Sequence, residues 1–146
     1  MSIPNTFPQR TKTVQVIAPV DNDGTAVTGI IIDRLGYQSA KLVVSYAASS
    51  GTPSAAATAI AVYSNSASSS SSPTPVKLVD LETAKDILTA GVAEYDIDLS
   101  NAKRYVYPTL DTTYTAGTSP KNIISAVLVL GDKNVQPANS GTVYGR

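Results

Sequence analysis

The chain has no cysteine, no histidine and no tryptophan among its 146 residues, and a single phenylalanine. Without cysteine there is no disulfide framework and no thiolate chemistry, so stability cannot depend on a redox compartment. Without histidine the commonest general base and metal ligand is missing, and every Ser-His or Cys-His arrangement is excluded. Charge of one sign is lacking too: eleven basic and eleven acidic residues cancel, and Lys103-Arg104 is the longest basic run. A basic footprint for nucleic acid is therefore absent. No apolar run approaches the roughly 20 residues that cross a bilayer. The N-terminal stretch Met1 to Pro8 lacks the charged and then apolar layout of a signal peptide, and no Asn-x-Ser/Thr sequon occurs. The expectation is a soluble protein made and assembled in a cytoplasm, with no cofactor, no membrane and no nucleic acid.

What is present is β-structure. The length suits one domain that buries a core unaided. Residues 1–10, with Pro4 and Pro8 among polar residues, predict an extended N-terminal arm. Thr11 to Ala18 alternates with period two. Asp21-Asn22-Asp23-Gly24 then predicts a hairpin or similar tight reversal into Val27 to Asp33. Lys41 to Ala48 and Thr58 to Tyr63 are further strands, joined through Ser49-Ser50-Gly51-Thr52-Pro53. Ser64 to Ser72, followed by Pro73-Thr74-Pro75, has too little apolar surface to offset its ordering entropy and reads as an exposed loop over 64–75.

Val76 to Leu81 is a short strand, and Glu82 to Ala90 carries the best helical spacing, with Ala84, Ile87 and Leu88 on one face and Gly91 as a stop. Glu94 to Leu99 alternates most cleanly: Tyr95, Ile97 and Leu99 on one face, carboxylates on the other. Arg104 to Leu110 predicts a strand ending near Pro108. Asn122 to Leu130, apolar on both faces, predicts a central strand covered on both sides. Residues 133–146 read as a tail. Together these give an all-β, antiparallel, jelly-roll-like sandwich over 11–132, with extended terminal arms and at most one short helix.

Several constellations bear on chemistry. Asp21-x-Asp23-Gly24 partly matches a calcium loop but lacks the later acidic ligands, and turn chemistry accounts for it. Asp96 and Asp98 share a strand face about 7 Å apart by the two-residue rise. That separation suits paired carboxylates of glycoside hydrolysis, yet a solvated face or a ridge blocking edge pairing explains it better. The serine run offers hydroxyls with no base to activate them. Asp33 and Arg34 are adjacent, so their side chains leave opposite faces, and each is expected to fix the corner between two strands by bonding backbone or a neighbouring chain. Tyr105 and Tyr107 share a face. They suit core packing or a subunit contact, or a stacking platform in a carbohydrate-binding or adhesive sandwich.

Ile32-Asp33-Arg34-x-Gly36-Tyr37-x-Ser39-Ala40, Ala126-Val127-Leu128-Val129-Leu130-Gly131-Asp132 and Arg104-Tyr105-Val106-Tyr107-Pro108 resemble small capsid decoration, or cement, proteins of tailed bacteriophages. The resemblance spans roughly residues 25 to 132. It implies a jelly-roll-like protein with no enzymatic role, on the outer surface of the virion, bridging subunits of the major capsid protein. A homo-oligomer, dimer or trimer, is expected from the symmetry of such shells. The candidate contact residues are Phe7, Asp33, Arg34, Tyr37, Tyr105 and Tyr107.

Overall fold

A computed structural model describes residues 11–131. The two arms, and Phe7 with them, lie outside the described residues. Nine strands follow one another: β1 (Lys12–Asn22), β2 (Val27–Thr28), β3 (Ile32–Asp33), β4 (Ser39–Tyr46), β5 (Ala55–Asn65), β6 (Val76–Asp86), β7 (Gly91–Asp98), β8 (Tyr105–Thr115) and β9 (Asn122–Gly131). They form two antiparallel sheets. The first has the order β1-β9-β4-β7; the second has β2-β8-β5-β6, with β3 also on β8. Strands pair from the outside of the sequence inward: β1 with β9, β2 and β3 with β8, β4 with β7, β5 with β6. That nesting is the jelly roll.

Alternation decides which residues enter the core. Leu42 and Val44 of β4, Ile124, Leu128 and Leu130 of β9, and Ile97 of β7 project inward from the first sheet. Ile60 and Val62 of β5 and Val106 and Leu110 of β8 meet them from the second. Each such fully buried aliphatic side chain contributes about 1.5–3 kcal/mol. Buried Thr58 and Thr112, opposite one another in register, share a hydroxyl hydrogen bond of 3.2 Å across the second sheet.

Pairing overrides local pattern at several points. No helix occurs among the described residues. Glu82 to Asp86, the first half of the expected helix, extends β6 along β5 with Glu82 opposite Ile60 and Asp86 opposite Ala57. This leaves Ile87 fully buried with its N–H on the Ala56 carbonyl, while Asp86 caps the Leu88 N–H in a tight turn. A helix here would have left residues 57–60 of β5 without their partner on that side. The 22–24 reversal is a turn but no hairpin, because β1 pairs with β9 and β2 with β8, so the chain crosses between sheets. The single strand expected over Val27 to Asp33 is two dipeptide strands.

β8 does not stop at Pro108; it runs on to Thr115. The Pro108 carbonyl accepts the Gly29 N–H, so its nitrogen, which has no proton to give, also faces the gap between β2 and β3. The ladder to β5 is untouched. β5 reaches Asn65, so Ser64 and Asn65 are buried strand residues, and Asn65 gathers the serine loop by donating to the Ser69 and Pro73 carbonyls. β9 is central but covered on one side only: Ile123 on its outer face is 54% exposed.

Candidate functional site

The segment from Ile32 to Ser39 is the elbow that carries the chain from β3 in the second sheet to β4 in the first. Gly36 supplies its left-handed position, φ 91°, which costs a glycine nothing. The Tyr37 N–H closes the turn on the Arg34 carbonyl at 2.9 Å. Asp33 and Arg34 do not pair with each other and bond different groups. Asp33 receives Arg104 as a two-pronged pair, Nη2 to Oδ2 at 2.8 Å and Nε to Oδ1 at 3.1 Å, and also accepts the Leu35 N–H. Arg34 donates to three carbonyls: Lys103 at 3.0 Å, Tyr37 at 3.1 Å, and Ala102. Its own N–H bonds the Arg104 carbonyl at 2.9 Å. The elbow is thus stitched to the 99–104 turn between β7 and β8, and Leu35 is left at its apex, 67% exposed.

Arg104 holds the Asp33 carboxyl below the usual carboxylate range, with the Leu35 N–H adding to it. A depressed folded pKa gives stability present above the unfolded value, about 3.9, and lost as pH falls through the folded one. Replacing Arg34 by alanine leaves three carbonyls to find new donors and is expected to destabilise by about 2 kcal/mol, read by chemical denaturation. Lysine should restore little of this, because one ammonium cannot reproduce the guanidinium fork.

Tyr37 packs against the core, and Tyr105 lies opposite Asp33 with the Arg104 guanidinium 5.3 Å from its ring centre. Asp33, Arg34, Tyr37 and Tyr105 are therefore one cluster. Tyr107 stands apart on the outer face of the second sheet, only 4% exposed and stacked on its cross-strand partner Tyr63 at 5.7 Å between ring centres. Lys77 covers Tyr63 in turn, 5.8 Å from the ring centre. Tyr105 and Tyr107 do not present the open ring faces of a stacking platform. Arg104, Ala102 and Tyr63 complete these arrangements; apart from the basic pair Lys103-Arg104, nothing in the sequence marks them.

The carboxylates of β7 are taken up singly. Lys41 sits between Glu94 at 3.9 Å and Asp96 at 3.5 Å, and Asp98 accepts the Ser100 N–H at 2.9 Å. The Ser100 contacts pull Asp98 below the usual carboxylate range, the wrong direction for a proton donor. An open depression of about 830 Å³ crosses the ends of β4, β7 and β9 beside them, lined by Gln38, Lys41, Asp96, Asp98 and Val129 among others. The Asp21-to-Gly24 loop is turn chemistry: Asn22 accepts the Gly24 N–H, Asp23 accepts the Thr25 N–H, and Asp21 pairs with Lys121.

Burial and the neighbouring Glu82 carboxylate push the Tyr95 hydroxyl up to about 12, and burial also raises Tyr107 and Tyr114. Groups kept neutral by the fold stabilise it fully below their unfolded pKa, about 10, and the benefit is lost as pH rises toward the folded value. Denaturation midpoints should therefore fall above about pH 10, and an ultraviolet titration should show some tyrosines ionising only as the chain unfolds.

The fold is similar to that of particle proteins of infectious bursal disease virus. The VP2 subviral particle aligns with a TM-score of 0.61 at 10% identity, over 86% of this chain and 33% of that one. The T13 particle of the same virus gives 0.55 at 9% identity, over 83% and 30%. Its Gx strain gives 0.55 at 11% identity, over 88% and 33%. The likeness is one of fold. The chain spans about a third of the length of the structures it matches. No protein-family model and no curated protein matches the sequence.

Proposed function

We propose that this chain is a non-enzymatic structural protein of a virus particle: a decoration, or cement, protein that binds the major capsid protein on the outer surface of a tailed-bacteriophage shell. The observation that carries the reading is the jelly roll, aligned over 83–88% of the chain with proteins of viral particles. The elbow agrees with it. Its polar groups are consumed in holding two sheets and the 99–104 turn together, so it acts as a rigid strut rather than a reaction centre. Leu35, at 67% exposure, and nearby Ile30, at 55%, are the apolar groups it offers to a partner. Asp33, Arg34, Tyr37 and Tyr105 shape this contact from behind, and Phe7, outside the described residues, is kept as a further contact residue to be tested by substitution. Self-association into a dimer or trimer follows from the symmetry of a closed shell.

The test is to mix the purified chain with tailed-phage shells assembled without decoration protein. Co-sedimentation should saturate at a fixed number of copies per shell. Binding that never saturates, or none, overturns the proposal.

A further inference from the structure

A jelly roll of two open sheets has four edges, and three of them are spoiled as templates for another strand. β1 changes register between Gln15 and Ile17 and again between Ile17 and Val20, and it carries Pro19. The outer edge beyond β8 is two dipeptides, β2 and β3, separated by residues 29–31. β6 shifts register three times along β5. The fourth is different. β7 runs for eight residues, Gly91–Asp98, in unbroken register with β4 and without a proline, and it pairs with no other strand among the described residues.

The free groups on that edge can be assigned. The Leu99 N–H points to the β4 side, onto the Gln38 carbonyl at 2.9 Å. Alternation then turns the N–H and C=O of Val92, Glu94, Asp96 and Asp98 outward. Their side chains all lie on the outer face of the first sheet, exposed, while Ala93, Tyr95 and Ile97 lie on the inner face. Three of the four outward residues are acids, and Lys41 of β4 pairs with two of them, Glu94 and Asp96. A second copy of β7 laid alongside would set carboxylate against carboxylate, which disfavours self-pairing.

We infer that β7 is a docking edge for an extended basic segment of a partner protein, which joins the first sheet as a fifth strand. Backbone hydrogen bonds to Val92, Glu94, Asp96 and Asp98 hold the segment. Residues directly opposite these four share their face, so every second partner residue is lysine or arginine; those between are apolar, beside Tyr95 and Ile97. The inference deepens the proposed capsid role and rests on it for the partner's identity, a segment of the shell protein.

Asp96→Pro is the discriminating variant. It deletes an outward N–H and a carboxylate while leaving the ladder to β4 intact, and edge strands tolerate such a proline. The probe is an acetylated and amidated eight-residue peptide alternating lysine and valine, titrated against the full chain. Saturable binding with amide shifts at Val92, Glu94, Asp96 and Asp98 is expected. Affinity should fall at least tenfold in Asp96→Pro and in Asp96→Lys, with unfolding midpoints close to the parent's. Equal binding by folded Asp96→Pro, or equal binding of the same peptide with glutamate for lysine, overturns the edge. On shells the two proposals separate. If parent and Asp96→Pro co-sediment equally, the edge is not the shell contact and the capsid role stands. If the parent itself fails to bind shells, the capsid role falls and the peptide titration alone decides the edge.

Discussion

Asn122→Ala should lower stability by about 3 kcal/mol, although the residue touches no candidate contact. Asn122 is 1% exposed at the start of β9. Its Nδ2 donates to the Ala47 carbonyl at 2.7 Å and the Ile87 carbonyl at 2.9 Å, and its Oδ1 accepts the Ser49 hydroxyl at 2.7 Å. Those partners come from the connection after β4 and the turn after β6, so one amide ties three segments that otherwise only abut. Alanine leaves the Ala47 carbonyl without its side-chain donor and the Ile87 carbonyl with only the Ser49 hydroxyl, at 3.3 Å, at about 1–2 kcal/mol each. For a domain of this size that is a fall in Tm of about 10 °C. Asn122→Asp is the stricter test. Its carboxylate would face two carbonyls and donate nothing. Burial raises its pKa above the unfolded value, so its deficit against the parent should grow as pH rises from acid to neutral. An Asp variant as stable as the parent at neutral pH would mean that water reaches the knot.

The parts of the fold legible in the sequence are those where one face of a strand meets the core and the other meets water. Glu94 to Leu99 is such a place, with Ile97 and Leu99 buried and the acids outside. Strand ends and partners were not legible, because they depend on register with residues far away. Ser64 and Asn65 look like the first members of a serine loop, yet Tyr105 and Val106 lie opposite them and carry β5 to its end. Glu82 to Asp86 has helical spacing that β5 overrules. Around Asn22 the local turn chemistry was readable, but nothing nearby says that its two flanking strands belong to different sheets.

The candidate site divides in the same way. That Asp33 and Arg34 bond other groups rather than each other was readable from their adjacency. That they close on Ala102, Lys103 and Arg104, 68 to 71 positions away, follows only from the folding of β3 against β8. Tyr105 and Tyr107 share a face, as period two requires. The cover on Tyr107 comes from Tyr63, whose register opposite it is a property of the sheet.

Gly51→Ala should cost about as much as Asn122→Ala, near 3 kcal/mol, and for a reason that composition hides. In sequence Gly51 is one residue of a Ser-Ser-Gly-Thr-Pro connection. In the structure its φ is 79°, and an added Cβ would run into the Thr118 carbonyl and lie 2.8 Å from the Pro120 Cα. The obstruction is backbone, which no rotamer change relieves. Gly117, φ 89°, presses back from the other side, where its own Cβ would meet the Gly51 carbonyl at 2.7 Å. The two connections are locked by the Thr118 N–H on the Gly51 carbonyl at 2.8 Å and the Ser50 N–H on the Lys121 carbonyl at 2.8 Å. Separating them to admit a methyl group forfeits those bonds, at about 1 kcal/mol each, beyond the roughly 1 kcal/mol of left-handed strain in alanine. Gly24 is the control. Its φ is 104°, but its added Cβ would find nothing nearer than 3.7 Å, so Gly24→Ala should show the strain alone, about 1 kcal/mol. Denaturation of both variants separates the two causes: equal losses would mean that conformation, not the contact between the connections, requires glycine at position 51.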